Sequence, residues 1–173
     1  MASVLTVTNT LGRPAADAEI LKATVGFANG AGLELIGTNG KRHQASDQDR
    51  VEFAKVMTSA LADPIGTAYE ALPRFSEKRD LIEVFTVSDK SGLQRQLRVD
   101  FRSIRALLDH ALLLILDRTN PVGRLVCRCK LPRCGVFYIA GRNKRGGGLN
   151  LTFCRPEHRE EHHNSSDRRL GRI

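Results

Sequence analysis

The stretch from Arg124 to His163, RLVCRCKLPRCGVFYIAGRNKRGGGLNLTFCRPEHREEHH, decides how this chain is read. It holds all four cysteines of the 173 residues: Cys127, Cys129, Cys134 and Cys154. Four residues separate Cys129 from Cys134, and Gly135 follows directly. A tight turn that aims two thiolates at one ion folds backbone over the metal at that place, which glycine tolerates best. Val136 to Ala140 then reads as a strand, Gly141 to Gly148 as a flexible turn and Leu149 to Phe153 as a second strand. That pattern predicts a β-hairpin. Pro156 suits the first position of a following helix, where its missing amide hydrogen costs nothing. Glu157, Glu160 and Glu161 fall in the first turns, where the helix dipole favours acids. Cys154 and His158 are four apart, so one helical turn can show both to the same ion.

Knuckle, hairpin and ligand-bearing helix make a treble-clef-like arrangement. Cys129, Cys134, Cys154 and His158 form a closed tetrahedral set for one structural Zn2+. Two alternatives remain open within the set. Cys127 lies two residues before Cys129, on the same side of a strand, and could replace it. His162 lies one turn after His158 and could replace that. Four reduced thiols buried as small hydrophobes would explain neither the clustering nor the helix start at the second pair.

Upstream, the chain reads as a mixed α/β domain over residues 1–120, with the finger and a basic tail over 121–173 and Asn120-Pro121 at the break. The overall class is therefore α+β. Ser3 to Thr8 suggests a strand. A helix-like stretch after Pro14 carries Ile20, Leu21, Thr24, Val25 and Ala28 on one side and stops near Gly30. Gly32 to Thr38 suggests another strand. Ser46 with Asp49 is a capping-box signature, and Val51, Ala54, Thr58 and Leu61 follow at helical spacing beside Met57. Residues from Pro64 to Leu72 suggest a further short helix. Leu81 to Val87 and Leu93 to Phe101, with the turn cluster Ser88 to Gly92 between them, predict a β-hairpin. Ser103 to Asp117 is so apolar that it must be buried on most sides, which makes it the core helix.

Bulk properties narrow the classes. A hydrophobic share of 41% is too high for a disordered chain. The longest apolar run, Ala111 to Leu116, is far short of the roughly 20 residues a membrane span needs. The opening MASVLTVTNTLGRP lacks a secretory signal's charged and apolar regions. A cytoplasmic protein without membrane contact is expected, in a compartment where clustered thiols indicate metal before disulfide. Charge is uneven. Through Asp117 there are 14 Lys and Arg against 15 Asp and Glu, a net of −1; beyond it there are 13 against 4, a net of +9. A basic segment joined to a near-neutral one suggests a polyanionic partner for the basic part.

The finger residues resemble the CGNR-type zinc-finger proteins, a bacterial family of presumed transcription regulators with an N-terminal stress-response domain often called ABATE. Cys129, Cys134-Gly135, Phe137-Tyr138, the basic Arg142 to Arg145 and Phe153-Cys154 fall in that family's order. His158-Arg159-Glu160-Glu161 stands where the family carries Cys-Gly-Asn-Arg, and Phe153 stands where it carries Trp. The spacing from Cys154 to His158 is one residue shorter than is usual there. The chain is thus similar to a divergent member. The resemblance covers the finger; Val7 to Leu11, with its Asn-Thr pair, is a fainter likeness to the opening of the first domain. It implies DNA binding and transcription regulation.

The residues suggest the same partner. Arg142, Lys144 and Arg145 on the glycine-rich turn, with Arg168, Arg169 and Arg172 in the tail, suit contacts to nucleic-acid phosphates, DNA being the expected partner; such contacts give affinity and not sequence choice. The three glutamates opening the last helix disfavour its insertion into a groove. The alternative is a zinc-stabilised protein-interaction module without nucleic-acid binding. No catalytic residues are assigned: four good ligands leave no open metal position, and Gly146 to Gly148 lies in a hairpin turn, unlike a nucleotide cradle.

Overall fold

Ser103 caps the core helix. Its hydroxyl accepts from the Ala106 amide, and the helix runs from Ile104 to Leu116. Ile104, Leu107, Leu108, Ala111, Leu112, Leu114 and Ile115 are all buried. A face this wide needs partners on several sides, and the rest of the fold supplies them. The computed structural model describes residues 4–8, 17–37, 40–68, 80–88, 92–101, 103–117, 119–141 and 152–169; of these, the side chains of 8, 80–100 and 166–169 are not described.

The described chain is α+β, with small sheets and helices. Strand β1 (Val4–Thr8) leads to helix α1 (Asp17–Ala28) and strand β2 (Gly32–Ile36), which pairs parallel with β1. β3 (Arg42–Gln44) pairs antiparallel with β2, giving the sheet order β1-β2-β3. Helix α2 (Asp47–Ala62) follows, and residues 64–68 form a further helical turn. β4 (Asp80–Ser88) and β5 (Gly92–Asp100) form the expected antiparallel hairpin. The core helix is α3. A 3-10 turn (Gly123–Leu125), β6 (Val126–Arg128), β7 (Phe137–Ile139) and helix α4 (Pro156–Arg169) complete the order.

The capping box at α2 is formed as the sequence implied: Asp49 N donates to Ser46 Oγ at 3.1 Å, and Ser46 N donates to the Asp49 carboxylate at 2.9 Å. The inward face of α2 differs from expectation. Phe53, Met57 and Ala60 are buried, while Val51 is 64% exposed. Two apolar stripes compete on this helix, and the one with Phe53 and Met57 removes more apolar surface from water. Phe53 meets Phe27 of α1 with ring centroids 6.5 Å apart. β3 escaped the sequence reading because Arg42, His43 and Gln44 carry no apolar alternation; pairing with β2 makes it a strand.

β7 occupies the expected strand at 136–140 and pairs with β6: Val126 opposite Ile139, Cys127 opposite Tyr138, and Arg128 opposite Phe137. The expected glycine-rich turn, from 142 on, lies outside the described residues. Of the expected second strand, 149–151 lie outside the described residues, and Thr152 and Phe153 are not in a strand. Thr152 instead accepts from the Lys130 amide at 3.0 Å. Val126 and Phe137 join the same apolar core as α1, α2 and α3.

Two contacts fix the hairpin to that core. Asn29, just past α1, grips the Phe137 backbone twice: its Nδ2 donates to the carbonyl oxygen at 2.7 Å, and its Oδ1 accepts from the amide at 2.9 Å. Gly123 lies so close to α3 that a Cβ there would come within 1.7 Å of the Leu114 carbonyl oxygen. Only glycine permits that approach. Asn29→Ala should cost about 1–3 kcal/mol, since it strips partners from two part-buried backbone groups. Urea unfolding of the variant against the parent chain checks this; an unchanged midpoint would show that water replaces Asn29 without loss.

Candidate metal centre

The knuckle is built by its turn. Cys129 N donates to the Val136 carbonyl oxygen at 2.9 Å, and Cys134 N donates to that of Leu131, also at 2.9 Å. Gly135 adopts φ +61°, the left-handed conformation that glycine takes at no steric cost. The chain therefore reverses directly after the second thiol, and both sulfurs point the same way. Leu131 and Phe153 are buried beneath them with Cys129.

The second pair comes from the start of α4. Pro156 is its first residue, as the sequence implied, and one turn brings His158 beside Cys154. The structure gathers Cys129, Cys134, Cys154 and His158 so that their donor atoms all lie within 4.8 Å of one another. Cys129 Sγ is 3.6 Å from His158 Nδ1, Cys154 Sγ is 3.2 Å from the same nitrogen, and Cys134 Sγ is 3.6 Å from Cys154 Sγ. Bond lengths of about 2.3 Å to sulfur and 2.0–2.1 Å to nitrogen give a tetrahedron with edges of about 3.8 Å between sulfurs and about 3.6 Å from sulfur to nitrogen. These three separations lie within about 0.4 Å of those edges, and all the donor atoms lie within 4.8 Å of one another. A disulfide would need about 2.05 Å, and all four cysteines are free thiols. The donor set can hold a metal ion.

The electrostatics agree. Burial works to raise the Cys129 thiol, but hydrogen bonds from the Cys154 and Leu131 amides, His158 and Cys134 outweigh it and bring the thiol down to about 7. Burial pushes Cys154 up to about 12, helped by hydrogen bonds and charge from Cys134 and Cys129. Neighbouring thiolates resist ionising together, and a cation among them removes the conflict.

The alternatives fall outside the cluster. Cys127 sits on β6 opposite Tyr138, half-buried. Burial raises its thiol against a weaker opposing pull from the Tyr138 hydroxyl. His162 turns to Phe153, with ring centroids 5.3 Å apart. Of the expected phosphate contacts, Arg142, Lys144 and Arg145 lie outside the described residues. Arg168 and Arg169 end α4, and their side chains lie outside them as well. The sequence reading passed over the described cations around the knuckle: Arg124, Arg128, Lys130, Arg155 and Arg159 are all exposed. They were legible only as part of the bulk charge. Arg133 pairs with Glu161, which ties the knuckle to α4.

Comparison with family models, curated proteins and solved structures finds no match to this chain. Among the described residues, no helix is long and apolar enough to cross a membrane.

Metal loading must displace protons from thiols, so affinity rises with pH. Cys154, held protonated far above neutrality, contributes about one proton and hence about a tenfold gain per pH unit below its raised pKa. Competition against a chelator at pH 6.5 and 7.5 should show at least that ratio; equal affinity at the two would mean the thiols are not the ligands.

Metal removal should also act unevenly. No residue of α4 from Pro156 to Ser165 is buried, whereas the β6–β7 hairpin has Val126, Phe137 and the Asn29 grip. Chelation is expected to abolish amide protection in α4 first and leave β6 and β7 protected. Protection of α4 that survives chelation would show that the metal is not its main support.

Proposed function

We propose that the protein is a zinc-stapled nucleic-acid-binding protein, a transcription regulator by its resemblance to the CGNR-type family. The observation that carries the zinc assignment is the near-tetrahedral spacing of three sulfurs and one imidazole nitrogen. This donor set suits Zn2+, which has no geometric preference of its own and takes thiolate and imidazole readily. A filled set of four protein ligands leaves no position for substrate, so on this reading the ion is structural and not catalytic.

The partner is argued from charge. The segment after Asp117 carries a net of +9. Among the described residues, Arg124, Arg128, Lys130, Arg155 and Arg159 have no carboxylate partner. Cations left unpaired around a rigid knuckle favour a polyanion with closely spaced phosphates. The exposed Glu157 and Glu160 disfavour α4 as a groove-reading helix, so the reading rests on backbone contacts from the knuckle, the turn bearing Arg142, Lys144 and Arg145, and Arg168 and Arg169. Those same glutamates favour the second reading, a zinc-stabilised protein-interaction module, because they offer a mixed-charge helix to a partner.

Salt separates the two. Duplex DNA binding by the zinc-loaded chain should weaken steeply between 50 and 200 mM salt, on the order of tenfold or more for a few phosphate contacts. Replacing Arg142, Lys144 and Arg145 together by Gln should flatten the slope of log K against log salt by about 0.9 per lost contact, with zinc content unchanged. No binding to duplex or single strands at low salt would replace this reading with the interaction module.

A further inference from the structure

A groove of about 510 Å³ lies between the C-terminal part of α2 and the metal knuckle. The α2 side offers Leu61 and Ala62, and the knuckle side offers Leu131 and Pro132, so much of the lining is aliphatic. The volume falls within the range of about 300–1,000 Å³ typical of small-ligand sites. Two cations, Arg128 and Lys130, stand in its wall, and among the described residues no Asp or Glu lines it. Asp63 follows Ala62 but turns its carboxylate to the Gly66 amide, Oδ1···N 3.0 Å, and is not part of the lining.

Arg128 is held in place before any ligand arrives. Its Nε donates to the Gly135 carbonyl oxygen at 3.3 Å, and its guanidinium lies 5.8 Å from the centroid of the Phe137 ring. With Nε engaged, the two terminal nitrogens remain as a planar pair of donors, a geometry that matches the two oxygens of a carboxylate. Neither Arg128 nor Lys130 has a carboxylate partner among the described residues. Lys130 follows the proposed metal ligand Cys129, and its backbone is fixed by the hydrogen bond its amide donates to the Thr152 carbonyl oxygen. The half-buried Cys127 thiol, which the metal set leaves unused, lines the same groove as a neutral group.

We propose that this groove binds a small amphipathic organic anion, a carboxylate with a hydrocarbon body. Arg128 and Lys130 take the carboxylate, and Leu61, Leu131 and Pro132 cover the hydrocarbon. A free inorganic anion would leave the aliphatic wall wet, and a neutral hydrocarbon would leave both cations unanswered; only a ligand with both parts uses the whole groove. One wall is the metal knuckle, so the site exists only while the knuckle is ordered. The site shares Arg128 and Lys130 with the cations invoked for nucleic acid, but the proposal does not depend on that reading.

The test uses octanoate as probe and the full chain loaded with one equivalent of zinc, without nucleic acid. Calorimetry should show saturable 1:1 binding, and the methyl resonances of Leu61 and Leu131 should shift with the same midpoint. Octylamine, with the same chain and the opposite charge, should not bind. Lys130→Gln removes one exposed cation and should weaken octanoate at least tenfold, the loss expected of a charged hydrogen bond. Ala62→Phe fills the groove from α2 while leaving both cations and all four metal ligands unsubstituted, and should abolish binding with zinc content unchanged. Arg128→Gln is the less clean variant, because it also removes the bond to Gly135. Absence of saturable octanoate binding, equal binding of octylamine, or full affinity in both Lys130→Gln and Ala62→Phe would overturn the proposal, whatever the nucleic-acid experiments show.

Discussion

Three sulfurs and an imidazole nitrogen occupy a volume only a few ångströms across, and the C-terminal segment is arranged around that crowding. Without a cation the group is in electrostatic conflict: hydrogen bonds bring the Cys129 thiol to about 7 while burial and its neighbours hold Cys154 near 12. An ion converts this conflict into cohesion, because each thiolate then faces positive charge at bonding distance. Helix α4 would depend strongly on that conversion. None of its residues from Pro156 to Ser165 is fully buried, and its links to the knuckle include the donors Cys154 and His158, the Arg133–Glu161 ion pair and the packing of His162 on Phe153.

The other end of the knuckle is held by ordinary core physics. Val126 and Phe137 sit in the same apolar cluster as α1, α2 and α3, and Asn29 satisfies the backbone of Phe137 in the way a neighbouring strand would. Gly123 lets the chain pass almost against the backbone of α3. With an ion in the donor set, the β6–β7 hairpin would have two supports of different kind, hydrophobic burial on one side and metal coordination on the other. Burial is non-directional and tolerant of small shifts, whereas coordination fixes distances within tenths of an ångström. The hairpin ties the donor set to the core, and the order an ion would impose there would reach α4.

That arrangement places chemistry-bearing groups where neither support alone would put them. Arg128 is aligned by Gly135, whose conformation belongs to the knuckle turn, and by Phe137, whose position belongs to the core. Lys130 and Leu131 are carried on the knuckle itself and face α2 across the groove. On the proposed reading, the ion does no chemistry of its own; it holds a cationic edge in register with the rest of the chain.

Local patterns fixed by covalent spacing were legible in the sequence alone. The Cys129 and Cys134-Gly135 turn, the single helical turn from Cys154 to His158, the Ser46 capping box, the β4–β5 hairpin and the burial of α3 each depend on neighbours a few residues away, where backbone geometry leaves few choices. The pairing of β6 with β7 could not be read that way, because it rests on the long-range packing of Val126 and Phe137 into the core. The same holds for α2, where Val51 and Phe53 begin competing apolar stripes and only the presence of Phe27 across the core chose between them. Cys127 and Cys129 were equivalent by alternation. The register of β6 against β7 set Cys127 opposite Tyr138, and the chain left the strand before Cys129, which freed that thiol to turn toward Cys154 and His158. Sequence spacing settles which groups can meet within one turn; burial and register, which involve residues a hundred positions apart, settle which of them do.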